Sequence, residues 1–220
     1  MVTALVGRLG GLFLSLLLAL ASGLSGPAAA AIAPPEAAAA EAGAAIERIE
    51  GYLNDLDTAR ARVVQINPDG TRATGTLYLS RPERLRLEYD RPSRVLIVAK
   101  DGQLVYHDPK LNQLSYLRVN STPLAFLLTD EIRLGGNVEV TDFRREGGEL
   151  RVTLTRADDP GVGRITLTFA ESPLELRGWT VTDPQGLTTY VILEDLKRDV
   201  ALNDDLFVFI NPKILGGNRR

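Results

Sequence analysis

Residues 75–109 read GTLYLSRPERLRLEYDRPSRVLIVAKDGQLVYHDP, and apolar residues alternate with polar ones along most of this stretch. Turn-forming residues interrupt the alternation at Arg81-Pro82, at Asp90-Arg91-Pro92 and at Asp101-Gly102. Apolar residues at every second position are typical of β-strands that bury one face. The stretch therefore predicts a run of short antiparallel strands joined by tight turns.

The chain carries few residues that could perform chemistry. Its 220 residues include one His and no Cys, which argues against thiol nucleophiles, zinc sites and disulfides. We find no G-x-S-x-G elbow, phosphate loop or dinucleotide fingerprint. The net charge of −3, with both signs interspersed, gives no electrostatic footprint for nucleic acid. We expect a protein that is not an enzyme, has no cofactor or metal, and binds an apolar ligand.

The N-terminus has the features of a secretory signal peptide. Arg8 precedes an apolar run from Leu9 to Leu24, and four small residues follow at Ala28–Ala31. A short charged lead, an apolar middle and an A-x-A-like site are typical of such peptides. We expect cleavage after Ala31, which makes residues 1–31 the signal peptide and residues 32–220 the exported domain. The alternative is a retained membrane anchor, and the Gly and Ser residues that dilute the run argue against it. The expected location is the periplasm.

The rest of the exported domain combines strands with a few helical segments. Ile46, Ile49 and Leu53 share one helical stripe, so residues 36–54 predict a helix that ends near Asn54-Asp55. Residues 121–132, STPLAFLLTDEI, predict a short apolar helix. The expected strands are Ala59–Ile66, Thr71–Leu79, Arg84–Tyr89, Arg94–Ala99, Leu104–His107, Gln113–Val119, Val138–Arg144, Leu150–Arg156, Arg164–Phe169, Leu174–Thr182, Leu187–Leu193 and a short last one, Phe207–Phe209.

These elements predict a mainly β fold of the α+β class. Many short strands at near-regular spacing favour an antiparallel barrel or sandwich. A sheet of this size curls, and the helices are the candidates to cover its concave face. Periodicity alone does not distinguish a filled core from a ligand cavity on that face. The apolar residues assigned to it are Leu77, Leu79, Leu85, Leu87, Tyr89, Val95, Ile97, Leu150, Val152, Leu154, Ile165, Leu167 and Phe169.

Taken in order, these segments resemble the LolA family of periplasmic lipoprotein carriers. Leu85 and Leu87 stand where the family often has Trp or Phe. The chain also lacks the N-terminal Cys of the lipid-anchored relatives that receive the cargo, so it resembles the carrier. The resemblance rests on Gly75-x-Leu77 leading into Arg81-Pro82, the strand ending at Tyr89, Pro92, the Asp101-Gly102 turn, Tyr106-x-Asp108-Pro109, Gln113, Thr122-Pro123 with the apolar residues after it, and Phe207-Val208-Phe209 with Pro212.

The resemblance implies an unclosed half-barrel whose hydrophobic concave face binds acyl chains beneath a lid of short helices. It implies that Arg81 hydrogen-bonds the lid backbone and helps to keep the lid closed, although an Arg in a surface turn is the simpler interpretation of the sequence alone. Phe126, Leu127 and Leu128 are the candidates for an apolar plug that competes with cargo; a buried connector is the alternative. The implied lid helix comprises Pro123, Leu124, Phe126, Leu127 and Leu128.

The resemblance also implies the partners. These are the lipid part of acylated lipoproteins, an inner-membrane ABC transporter of LolCDE type and, as a further candidate, an outer-membrane receptor of LolB type. We expect a monomer. The alternative function is a periplasmic regulatory module of the same fold that senses lipid or lipoprotein. A hydrolase is disfavoured because the sequence offers no nucleophile–base pair.

Overall fold

The computed structural model describes residues 35–122 and 125–211. The predicted signal peptide, the predicted lid residues Pro123 and Leu124, and Pro212 lie outside the described residues. The description that follows therefore concerns these two ranges alone.

One long helix, α1, spans Pro35–Asn54, so the predicted helix and its end are confirmed. Ala45, Ile49, Tyr52 and Leu53 recur at helical spacing and are buried, which turns one apolar stripe of α1 toward the sheet. The ring of Tyr52 meets the ring of Phe169 edge-to-face at 5.8 Å. The helix thus contributes its stripe to the main core of the domain.

Eleven antiparallel strands form one sheet in the order β6-β5-β4-β3-β2-β1-β11-β10-β9-β8-β7. Edge strands β6 and β7 do not pair with each other, so the sheet is an unclosed half-barrel, as predicted. Strands that are consecutive in sequence pair with each other, except β6 and β7, which do not pair. The one additional pair joins β1 to β11. The strands are β1 (Thr58–Ile66), β2 (Arg72–Ser80), β3 (Arg84–Tyr89), β4 (Leu96–Lys100), β5 (Gln103–Asp108), β6 (Gln113–Arg118), β7 (Val138–Glu146), β8 (Glu149–Arg156), β9 (Arg164–Glu171), β10 (Leu174–Thr182) and β11 (Thr188–Arg198).

The two faces of the sheet differ in how they are covered. The inner face, on the side of α1, holds the main core, to which β1–β4 and β8–β11 contribute buried apolar residues. The outer face carries a smaller buried set, Val98, Val105 and Phe207, which lies outside the main core. Val98 and Val105 are paired across β4 and β5, and the turn that contains Phe207 follows β11 in the chain.

The predicted strand at Phe207–Phe209 is wrong. The structure has a 3₁₀ turn at Asp204–Phe207, in which the Asn203 side chain accepts a hydrogen bond from the Asp205 amide, and no strand follows up to residue 211. The alternation Phe-Val-Phe arises because Phe207 is buried against the outer face while Val208 is exposed. A segment that lies across a face cannot join the hydrogen-bond ladder of the strands.

The predicted helix over residues 121–132 is replaced by shorter turns in the described part. One 3₁₀ turn spans Val119–Ser121 and a second spans Ala125–Leu128. The hydroxyls of Thr122 and Thr129 each donate to the carbonyl three residues earlier, at 2.7 and 2.8 Å. Such side-chain bonds compete with helix propagation, which explains the short turns.

Candidate functional site

The connection from β6 to β7 lies over the inner face. We call its described residues, 119–122 and 125–137, the cover segment. Phe126, Leu127, Leu128, Ile132 and Leu134 from this segment are buried and belong to the main core. The three predicted plug residues therefore lie against the sheet, where they fill space that would otherwise be open to the inner face.

Arg81 connects the cover segment to α1. The side chain is only 9% exposed and donates from Nη2 to the carbonyls of Thr129 and Asp130, at 2.9 and 3.2 Å. Its Nη1 donates to the carbonyls of Leu53 and Asn54 at the end of α1. One guanidinium thus bonds four carbonyls on two elements that are far apart in sequence.

The backbone around Arg81 strengthens this connection. The Arg81 amide donates to the Asp57 carbonyl at 2.7 Å, just after α1, and the Glu83 amide donates to the Leu128 carbonyl at 3.0 Å. Arg81 follows directly on β2, which places its side chain at the end of the sheet where α1 stops and the cover segment passes. The position of the Arg is therefore set by the strand and the turn that follows it.

The positive charge of Arg81 is stabilised by the backbone carbonyls to which it donates. Burial lowers the pKa of the guanidinium, while the charges of Asp57 and Asp130 act in the opposite direction. Its Nε is buried and has no hydrogen-bond partner. The group stays protonated, because arginine does not lose its proton in proteins. A buried cation satisfied mostly by carbonyls is stabilised less than one in a direct ion pair.

The apolar residues that the sequence assigned to the concave face all lie in or against the main core. Val95 and Ile97 are partly buried, and the other eleven are buried. They pack with α1 and the cover segment around a filled interior. The buried ones are Leu77, Leu79, Leu85, Leu87, Tyr89, Leu150, Val152, Leu154, Ile165, Leu167 and Phe169.

An open cleft of about 690 Å³ runs beside the cover segment, next to the ends of β8 and β9. Phe126 from the cover segment lines it together with Leu154 and Ile165 from the predicted apolar set. At its rim Arg156 donates to the Asn120 carbonyl at 3.2 Å. The cleft therefore joins solvent to the apolar underside of the cover segment.

Sequence analysis missed two side chains of α1 that bond the cover segment. The Asn54 amide group donates to the Ile132 carbonyl at 2.9 Å and accepts from the Ile132 amide at 2.8 Å. Glu50 accepts a hydrogen bond from the Leu134 amide. The sequence identified Asn54 only as a helix end, because its partner lies 78 residues away.

In the part of the chain that the structure describes, no helix is both long enough and apolar enough to cross a membrane. Among the same residues, no group of three His, Asp or Glu side chains is placed to hold a metal ion.

The part of the chain that contains this site matches a known protein family. Residues 54–210 match the family described as outer membrane lipoprotein carrier protein LolA. The chain belongs to the LolA family. The matched range contains Arg81, the cover segment and all eleven strands, and it includes only the last residue of α1.

Individual relatives of the LolA family are similar over most of their length. A protein from Methylibium petroleiphilum, named outer-membrane lipoprotein carrier protein, is 39% identical over 179 residues, covering 76% of this chain and 86% of the relative. One of the same name from Methylococcus capsulatus is 29% identical over 174 residues, covering 75% and 83%. Among solved structures, a LolA superfamily protein from Nitrosomonas europaea is 13% identical with a TM-score of 0.42, covering 74% of this chain and 97% of that chain.

Proposed function

We propose that this protein is a periplasmic carrier that binds the acyl chains of lipoproteins beneath the cover segment and moves them to the outer membrane. The observation that carries the proposal is a large apolar inner face covered by an apolar segment. That segment is attached to α1 mainly through side-chain-to-backbone hydrogen bonds. Relatives named outer-membrane lipoprotein carrier protein support the same role.

Binding and release both follow from competition for the inner face. Burying a methylene group contributes about 0.8 kcal/mol, so a few acyl chains offer a large favourable free energy. In the cargo-free protein, however, Phe126, Leu127 and Leu128 already occupy that surface. Cargo must displace them, so its net affinity is smaller than the buried area suggests. A carrier needs this reduction, because it has to release its cargo.

Arg81 sets the position of this equilibrium in the proposal. Opening the cover segment breaks its bonds to Thr129 and Asp130 and exposes a buried cation to water. Losing the hydrogen bonds raises the free energy of opening, and hydration of the guanidinium lowers it. The closed and open states therefore differ by a modest free energy. The cleft beside Phe126 is then the entrance for the first acyl chain.

The proposed partners follow from the cargo. An inner-membrane ABC transporter of LolCDE type would load the carrier, and a receptor of LolB type at the outer membrane would accept the lipoprotein. Loading against a closed cover segment requires an energy source, which ATP hydrolysis by the transporter would supply. The carrier itself then needs no catalytic residue.

The test is whether lipoprotein binding depends on acyl groups. The full chain is produced with its N-terminal segment, isolated from periplasm and examined for co-purifying lipoproteins. The matched control is a cargo whose acylated Cys is replaced by Ser. We expect one acylated cargo per carrier and none of the control. Equal recovery of both cargo forms, or recovery of neither by a folded carrier, contradicts the proposal.

A further inference from the structure

We propose that Asn54 and Glu50 form an anchor for residues 132–134 of the cover segment, so that opening is confined to residues 125–130. The anchor is separate from Arg81, which bonds Thr129 and Asp130. In this arrangement Asn54 and Glu50 are positioning residues. The consequence for cargo transfer rests on the proposed function, whereas the anchor itself does not.

The Asn54 side chain satisfies both backbone groups of a single buried residue. Its amide nitrogen donates to the Ile132 carbonyl at 2.9 Å, and its oxygen accepts from the Ile132 amide at 2.8 Å. A primary amide has both a donor and an acceptor, as a neighbouring peptide has. Ile132 is only 2% exposed, so without Asn54 its backbone groups would be buried without partners.

Glu50 provides the second contact with matching spacing. It lies four residues before Asn54 and therefore on the same side of α1. It accepts from the Leu134 amide, two residues beyond Ile132. Leu134 is also buried. Two side chains on one side of α1 thus bond the backbone of two buried residues of the cover segment.

The moving part lies between this anchor and a second attachment. At the other end Val119 is buried and Arg156 donates to the Asn120 carbonyl. Between the two ends, residues 125–130 are attached through Arg81 and through the bond from the Glu83 amide to the Leu128 carbonyl. The cleft opens beside this middle part, at Phe126. Release of Arg81 therefore frees Phe126 and Thr129 on one side of the cleft and leaves residues 132–134, of which Arg133 also lines the cleft, in place.

Residue-resolved hydrogen exchange of the cargo-free protein tests the anchor. The amides of Ile132 and Leu134 report on the anchor, and the Glu83 amide reports on the Arg81 attachment. In Asn54→Ala we expect exchange of Ile132 and Leu134 to accelerate about tenfold or more, as the loss of well-formed hydrogen bonds implies. In Arg81→Leu we expect Glu83 to accelerate while Ile132 and Leu134 stay slow. Gln185→Ala, which removes an exposed amide in the β10–β11 turn, is the matched control and should change neither.

Two outcomes overturn the proposal. One is unchanged exchange of Ile132 in folded Asn54→Ala; the other is equal acceleration of all three amides in Arg81→Leu. If Asn54→Ala does not fold, Glu50→Ala decides with the Leu134 amide as the reporter, because Glu50 accepts a hydrogen bond from that amide. No cargo is present in this experiment, so failure of the lipoprotein-binding test leaves its result standing, and the reverse also holds.

Discussion

Both faces of the sheet are crossed by an irregular segment, and the two segments are attached in different ways. On the inner face the cover segment buries six apolar side chains and is bonded by Arg81, Asn54 and Glu50. On the outer face residues 203–211 bury Phe207 alone. The inner segment covers a surface that an apolar ligand could occupy, whereas the outer one covers a smaller buried patch.

The attachments of the outer segment are largely ionic and exposed. Arg84 pairs with Asp204, whose side chain is 80% exposed, and the Arg84 guanidinium lies 5.6 Å from the centre of the Phe207 ring. Arg86 donates to the Leu206 carbonyl at 3.1 Å. Exposed ion pairs contribute little, about 0–1 kcal/mol each. Phe209 also lies against His107, with ring centres 5.7 Å apart, so burial of Phe207 and this ring contact account for most of the attachment.

The largest expected effect is on stability, at the outer segment. Phe207→Ala removes a fully buried ring and should lower the free energy of unfolding by about 3 kcal/mol. Because the inner face is unchanged, affinity for an acylated peptide should stay the same in the folded protein. Urea denaturation and a peptide-binding titration measure the two quantities. Loss of acyl binding at full folding would show that the outer segment belongs to the ligand site.

The second effect concerns the cover segment, where destabilising the closed state should raise the affinity for an acylated ligand. Leu127→Ala removes a buried cover side chain and should cost the closed state about 2 kcal/mol. If cargo competes with this side chain, acylated-peptide affinity should rise up to about 30-fold, the equivalent of that free energy. The control is Leu79→Ala, which truncates an equally buried residue of the sheet and should weaken binding. Weaker binding by Leu127→Ala would contradict competition.

Arg81→Leu should have a smaller net effect, because it removes both hydrogen bonds and a buried charge. We expect the closed state to lose about 1–2 kcal/mol, since each bond to a charged group contributes but desolvation of that charge offsets part of it. Loading and release in a reconstituted transfer assay should both change. Arg84→Leu, which alters the outer face, is the control. Unaltered transfer by Arg81→Leu would remove Arg81 from the proposed equilibrium.

The smallest effect is expected at an exposed ion pair of the outer face. Hydrogen bonds from Arg62 and from Thr74 lower the pKa of Asp90. A lowered folded-state pKa gives stability above the unfolded-state pKa, and this stability is lost as the pH falls through the folded-state pKa. Asp90→Asn should therefore cost under about 1 kcal/mol at pH 7 and nothing in acid. An effect that persists in acid would indicate a packing role instead.

Most of the fold was predictable because strand alternation and turn residues are local signals. The bounds of β3 and β10 agree with the predicted ones. β11 continues to Arg198, past the predicted end at Leu193, because β1 offers it a partner along the polar stretch, with a bulge between Arg60 and Arg62. A pairing partner that is distant in sequence leaves no local signal, so the sequence could not show this extension.

The candidate site was less predictable for the same reason. Alternation placed Leu154 and Ile165 on one face of the sheet, and the structure buries both. Only the structure distinguishes these two, which reach the cleft, from Val152 and Leu167, which do not. The partners of Arg81 lie 28 and 48 residues away. The residue was singled out by family resemblance and not by any local pattern. Asn54 resembled an ordinary helix end and could not have been recognised.

The open sheet has one mechanical consequence. The cover segment is the chain's own connection between edge strands β6 and β7, so it is a strap fastened to both rims of the half-barrel. Such a strap cannot swing away as a hinged door does; it can only bow outward between its fastenings. A ligand that moves β6 and β7 apart would stretch the cover segment, and a movement that brings these strands together would loosen it.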